Sequence, residues 1–403
     1  MASRTVGRLL TVYDLMDGMR AVAAMAVLVS HERNILFLDF PAGLSTPWKF
    51  FYFVTGFGHQ AVMIFFVLSG YWITKSVARR SAEGDFAWSD YAIDRLSRLW
   101  IVLIPALLLG GIFDSIGRYG IGAPIYLGTQ GTTTLTSDVG THLSLSILAG
   151  NLAFLQGILV APFGSNGPLW SLTNEFWYYV WFPLLYRILC RRRPSIAASL
   201  LVLITMVVFR NLLPGFVCWL FGSLLFYVTQ RPIQPSHTES GRGMVVALTA
   251  TILLFFGSLV LSRIPQLLID GINDIAVSGS FALLLFVLIR YARTYPHWLA
   301  PLCRYGAGSS YSLYVLHFPL VVLLATLFFT PASRLPPSGG LLLSFVGIGF
   351  VAIIYGYGVS TVTEANTSKV RRWFKKKYSS SLSLSPAPVP PTQNISAIEI
   401  RDN

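Results

Sequence analysis

The sequence predicts an all-α protein, a polytopic membrane helix bundle of about ten transmembrane helices with both termini cytoplasmic. Three observations predict it. Of 403 residues, 54% are hydrophobic and only 12% charged, whereas a soluble chain carries about 25% charged residues. Apolar stretches recur at close to the length of about 20 residues needed to cross a hydrocarbon layer. Most basic residues gather between alternate stretches, as the positive-inside rule requires. The same composition excludes disorder, and the net charge of +13 lies between apolar stretches, so no nucleic-acid partner is expected. Three widely spaced cysteines (Cys190, Cys218 and Cys303) exclude a disulfide framework, and no metal site is predicted.

The stretches run over 14–35, 56–76, 96–117, 168–189, 195–212, 214–230, 244–262, 275–291, 308–330 and 340–362. A further apolar stretch, 143–160, is broken by Gly150, Asn151 and Gln156, which predicts a helix lying at or dipping into the outer surface. Were it to span, every later segment would invert. With the N-terminus inside, the inner segments hold 23 of the 30 basic residues, the outer ones hold Arg33, Lys49, Arg118, Arg210, Arg263 and Arg334, and Arg20 lies within the first span. Arg4 and Arg8 before an apolar run resemble a signal peptide, but Asp17 and Arg20 interrupt its approach. Residues 1–364 therefore read as the membrane domain. Residues 365–403 read as a cytoplasmic tail, a basic patch that touches anionic lipid and then a disordered Ser/Pro-rich stretch. No internal repeat is evident, which argues against the usual transporter architecture.

An ionisable residue near mid-bilayer costs at least about 2.5–3.5 kcal/mol and marks function by default. The first span carries Asp17, Arg20 and His31. From Arg20 to His31, at about 1.5 Å and 100° per residue, the helix rises roughly 16 Å and turns a net 20° or so. Both side chains fall on one face, and Asp17 can hold the guanidinium from one turn away. A long substrate with an anionic head suits the pair, its phosphates at Arg20 and its reactive end at His31. Acetyl-coenzyme A has that shape. A snorkelling arginine and an interfacial histidine would give the same pattern, so the pair alone decides little.

Four further elements add weight. Phe65-Phe66-Val67-Leu68-Ser69-Gly70 ends the second span with residues that permit close helix approach. Arg95 and Arg98 open the third span one turn apart, able to clamp a phosphate. Trp170 to Glu175 opens the fourth with a carboxylate at the outer face, and Ser310-Tyr311-Ser312-Leu313-Tyr314-Val315-Leu316-His317 puts a second histidine in the ninth. Each has an ordinary alternative: a packing seam, positive-inside arginines, an aromatic belt, a core histidine.

In this order the elements resemble the integral-membrane acyltransferase family 3, bacterial enzymes that O-acetylate surface and exported glycans. The resemblance covers about residues 13–330, with Arg-x10-His at Arg20 and His31, Arg-x-x-Arg at Arg95 and Arg98, and Trp-Ser-Leu-x-x-Glu at Trp170 to Glu175. Ser69 and Gly70 are followed by Tyr-Trp where the family more often has Phe-Leu, which touches only local packing.

The resemblance implies acyl transfer from cytoplasmic acyl-CoA, a co-substrate and not a tightly bound cofactor, to a sugar hydroxyl. His31 is then expected as general base, with a covalent acetyl-histidine relay as the mechanistic rival. Glu175 would orient the imidazole or bind the acceptor, and Arg20, Arg95 and Arg98 would hold the CoA phosphates. Asp17, Ser69, Gly70, Trp170, Tyr311 and His317 are expected in support. The acceptor would be a glycan or glycolipid: exopolysaccharide, lipopolysaccharide or lipo-oligosaccharide, at the inner membrane. Many relatives carry an extracytoplasmic esterase-like domain, and only about 40 residues follow the last span here. A glycan transporter or flippase without acyl transfer is the alternative, since buried Arg, His and Glu also mark transport routes.

Overall fold

The computed structural model describes residues 11–84, 86–129, 135–190, 195–230, 241–264, 270–291, 303, 306, 308–329 and 334–383. Arg4, Arg8, Arg191 to Arg193, Arg231, Arg293, Arg304 and residues 384–403, all used in the charge and tail readings, lie outside the described residues. Among the described residues the fold is all-helical, with no strands.

Ten of its helices fall on the ten predicted stretches: α1 (Val12–Leu36), α3 (Gly58–Ala82), α4 (Trp88–Ser115), α6 (Trp170–Leu189), α7 (Ile196–Val208), α8 (Leu213–Gln230), α9 (Gly241–Leu261), α10 (Asp270–Tyr291), α11 (Ser310–Phe329) and α12 (Gly339–Val362). Three short or peripheral helices complete the set, α2 (Thr46–Val54), α5 (Leu145–Leu152) and α13 (Thr367–Ser383). Among the described residues, seven helical stretches are both long and apolar enough to cross a membrane. The other three predicted spans fall short for separate reasons. α1 carries Asp14, Asp17, Arg20, Glu32 and Arg33, and α6 is rich in Trp and Tyr, with Asn174 beside Glu175. α7 has 13 residues, about 20 Å of helix against the roughly 30 Å hydrocarbon layer.

Small residues set the tightest seam. A Cβ on Gly70 of α3 would fall on the Trp219 carbonyl of α8, and one on Gly222 of α8 would fall on the Val67 carbonyl of α3. The two backbones are therefore in direct contact, which only glycine allows. α11 is buried almost all round, from Ser312 to Ala325, and packs against α1, α4 and α12. Its burial is what makes it the wall on which the site is built.

Residues 143–160 form neither a span nor a simple surface helix. The eight residues of α5 reach only about 12 Å, and the chain then turns back at Phe154, whose φ is +57°. The polar interruptions do this. Asn151, fully buried, donates to the carbonyls of Ile147 and Ala161 (2.9 Å each) and accepts from the Phe163 N–H (3.0 Å). Gln156 donates to the Leu169 carbonyl at 3.1 Å, and Thr173 donates back to the Gln156 carbonyl at 2.8 Å. Asn166 reaches across to the Val315 carbonyl at 2.9 Å. The loop thus pins the start of α6 against α11.

The basic part of the tail is helical: residues 367–383 form α13, which finds acidic partners on α4. Arg371 lies 3.2 Å from Asp94, and Lys375 lies 3.4 Å from both Asp90 and Asp94. Arg80 of α3 pairs with Asp94 as well.

Candidate active site

A cavity of about 570 Å³ lies between α1, α3, α4, α6 and α11, within the range of about 300–1,000 Å³ usual for small-molecule sites. Its α3 wall extends from Arg79 to Val62, roughly 25 Å of helix at about 1.5 Å per residue. The space is therefore long and narrow, and one end differs chemically from the other.

The end near the start of α1 is charged. Arg20 Nη1 donates to Asp17 Oδ1 at 3.0 Å, the spacing of one helical turn. Arg98 sits deep in the protein yet is exposed to the cavity it lines, within electrostatic reach of Glu175 and Glu364. Arg95, one turn earlier, lies over the rings of Tyr91 and Tyr179, at 5.6 and 5.9 Å from their centres. Four arginines thus line the cavity, Arg20, Arg79, Arg95 and Arg98, together with Lys75, and Asp17 pairs directly with Arg20.

The middle is held by α3 and α6. Ser69 Oγ donates to Glu175 Oε1 at 3.3 Å, and Tyr179, one turn after Glu175, donates to the same oxygen. Trp219 Nε1 donates to Ser69 Oγ at 3.3 Å, which is possible because Gly70 lets α8 come so close. Tyr311 lines the cavity and donates to the Leu99 carbonyl at 3.2 Å, tying α11 to α4. Glu364, beyond α12, accepts from the N–H and Oγ of Ser312 at 3.2 and 3.1 Å.

At the far end Tyr314 closes the space. Its hydroxyl donates to the Pro168 carbonyl at 3.0 Å and accepts from Ser171 Oγ at 2.5 Å. Just past it, His31 Nδ1 lies 2.9 Å from His317 Nε2. The two rings are within 6° of parallel with centres 5.2 Å apart. At that nitrogen separation the rings lie end to end in one plane, joined by a hydrogen bond, and are not stacked face to face. Phe318 meets the His31 ring edge-on at 5.3 Å.

The tautomers follow from the partners. His317 Nδ1 faces the carbonyls of Leu313 and Tyr314 at 3.0 and 2.9 Å, and a carbonyl can only accept, so Nδ1 carries the hydrogen. With both rings neutral, Nε2 of His317 accepts, so Nδ1 of His31 must donate. The lone pair of His31 is thereby placed on Nε2. A fixed chain of carbonyl, His317 and His31 leaves one basic nitrogen.

Seven of the residues singled out from sequence meet in the cavity: Asp17, Arg20, Ser69, Arg95, Arg98, Glu175 and Tyr311. His31 and His317 form their own pair beyond it. Gly70 serves the α3–α8 seam, and Trp170 packs on Phe66 and His59 with ring centres 6.4 and 6.1 Å apart. Glu175 takes Ser69 and Tyr179 as partners, while the partner that orients His31 is His317. Sequence reasoning passed over Tyr179 and Glu364, and quoted Tyr314 only as part of the Ser310–His317 element. The first had a signal, since it follows Glu175 by one helical turn and shares its face. Glu364 had none, because only the packing of α12 on α11 brings it to Ser312.

The family model described as an acyltransferase domain (Acyl_transf_3) matches residues 13–357. The chain is 29% identical over 176 residues to an O-acetyl transferase of Shigella phage Sf6, covering 41% of this chain and 43% of that protein. It is 27% identical over 177 residues to the acyltransferase MdmB of Streptomyces mycarofaciens, covering 43% of this chain and 39% of that one. The chain thus spans less than half the length of either curated relative it matches. No solved structure matches it. Because the match runs from the first turn of α1 almost to the end of α12, taking in His31, His317 and all four arginines that line the cavity, the chain belongs to the integral-membrane acyltransferase family 3.

Proposed function

We propose that the protein moves an acyl group, acetyl in the first instance, from cytoplasmic acyl-CoA to a hydroxyl of a glycan or glycolipid at the bacterial inner membrane. In this reading the ten stretches all span, both termini are cytoplasmic, and the arginine end of the cavity faces the cytoplasm. The observation that carries the proposal is the carbonyl–His317–His31 chain, which fixes a lone pair on His31 Nε2 just beyond a cavity lined by four arginines, Arg20, Arg95 and Arg98 among them.

The division of labour follows from the geometry. Arg20, Arg95 and Arg98 meet the phosphates of the donor, where charge-assisted contacts are strongest. The pantetheine arm extends along α3 towards Val62, and the thioester reaches the Tyr314 end. His31 Nε2 takes the proton of the acceptor hydroxyl as that oxygen attacks the thioester carbonyl. The tetrahedral adduct collapses, the C–S bond breaks, and the same proton passes to the departing thiolate. During this exchange the hydrogen bond to His317 holds the ring in place and shares the transient positive charge. Glu175, held by Ser69 and Tyr179, sits beside the donor path as a positioning residue.

Mass spectrometry of surface and secreted glycans from cells with and without the gene tests the reading. A missing acyl group in the deletion strain, restored by the wild-type gene and not by His31→Ala, is the expected result. Unchanged acylation together with loss of glycan export would make the protein a transporter and end the proposal.

A further inference from the structure

A second cavity, of about 620 Å³, lies between α4, α6 and α7. It is separate from the first and shares with it only Arg95 and Tyr179, which stand in the wall between them. Leu96, Leu184 and Leu201 give it an apolar interior. Arg187, in the last turn of α6, and Trp88, at the start of α4, stand at its mouth. Counting inward from the starts of α4 and α7, Leu96 lies about 12 Å and Leu201 about 8 Å deep at about 1.5 Å per residue.

Neither arginine forms an ion pair with a carboxylate among the described residues. Arg187 rests on the rings of Phe86 and Trp88, 6.0 Å from each centre. Arg95 lies over Tyr91 and Tyr179, with its Nε buried and without a hydrogen-bond partner. An aromatic face attracts a cation but does not neutralise it, so both keep their charge. An apolar chamber with one unneutralised guanidinium group at its mouth and a second in its inner wall is complementary to one kind of molecule, a hydrocarbon chain bearing a phosphate. Tryptophan at the rim is the residue usual at headgroup depth, and basic pockets between helices on the cytoplasmic side take anionic lipid headgroups. A glycan would leave its hydroxyls without partners against Leu96, Leu184 and Leu201, and a nucleotide would do the same with its base.

We propose that this cavity is a site for one anionic phospholipid, its acyl chain between α4, α6 and α7 and its phosphate on Arg187. The site goes beyond the transfer reaction and does not depend on it. Its readout is lipid retention in the absence of any acyl donor.

The test compares phosphatidylglycerol with phosphatidylcholine of the same chains, supplied to the purified full-length protein and followed by native mass spectrometry. The wild type is expected to retain phosphatidylglycerol preferentially, and equal retention of the two would overturn the proposal. Arg187→Ala should weaken phosphatidylglycerol retention by about five-fold, the effect of one basic residue at a lipid surface, and undiminished retention would overturn it. Leu201→Trp, which fills the chamber and leaves both arginines, should lose both lipids. Free glycerol phosphate should not displace the lipid, and displacement by it would show an anion site without a chain. The wild-type comparison needs no variant, so it decides the matter even where a variant fails to fold.

Discussion

His31 and His317 are joined through a single in-plane hydrogen bond of 2.9 Å, and the far nitrogen of His317 is committed to two backbone carbonyls. The pair is therefore directional. His317 can orient His31, but the reverse assignment would leave a carbonyl facing a lone pair.

That direction sets the first expectation. His31→Ala should reduce acyl transfer by about 10²–10⁴, the usual worth of a positioned general base, while expression and acyl-CoA binding stay near wild type. His317→Ala should lose activity only in part, because it removes an orienting partner and leaves the base. Turnover assays on both variants, with donor binding measured by calorimetry, decide it. An inactive His317→Ala beside an active His31→Ala would move the base to α11.

The arginine end yields a different signature. Arg20→Ala, and Arg95→Ala with Arg98→Ala, should raise the concentration of acyl-CoA needed for half-maximal rate and leave the maximal rate much less affected. The wild-type attraction is screened by salt, over about 10 Å at 0.1 M, so the difference between wild type and variants should narrow as salt rises. Donor titrations at two ionic strengths measure this, and identical binding would leave the arginines with a topological role alone.

Orientation is tested by reporter fusions after Arg80, Arg193, Gly243, Arg304 and Lys377, all expected to read cytoplasmic. α5 is too short to cross, so no inversion is expected after it. Periplasmic readings at Gly243, Arg304 and Lys377 together would mean that only one of the two helices between Arg193 and Gly243 spans, with the 13-residue α7 the first suspect.

The glycine seam makes the fourth prediction. Gly222→Ala would drive a methyl group into the Val67 carbonyl, and a backbone atom cannot rotate aside. Overpacking of this kind costs about 1–3 kcal/mol and should appear as a lower unfolding midpoint in detergent. Gly347→Ala, with nothing within 4 Å of its Cβ, is the control and should unfold like the wild type.

The sequence by itself determined the class and most of the parts. Apolar length predicts where helices lie because a backbone in hydrocarbon must satisfy its own hydrogen bonds, and helix is the local way to do so. The face shared by Arg20 and His31 was legible for the same reason, since helical geometry converts spacing into direction. The charges along α1 were legible as function because they are costly where they stand.

What only the tertiary structure decided is which groups meet. His31 and His317 are brought together by packing of α1 on α11, and nothing in either helix's own pattern specifies that register. The same holds for Glu364 at Ser312, for α13 on Asp94, and for the fold of residues 153–166 around Asn151 and Gln156. In each case a polar group buried among apolar neighbours must find a hydrogen-bond partner. The partner comes from a distant part of the chain, so the requirement is written in the sequence but its answer appears only when the helices pack.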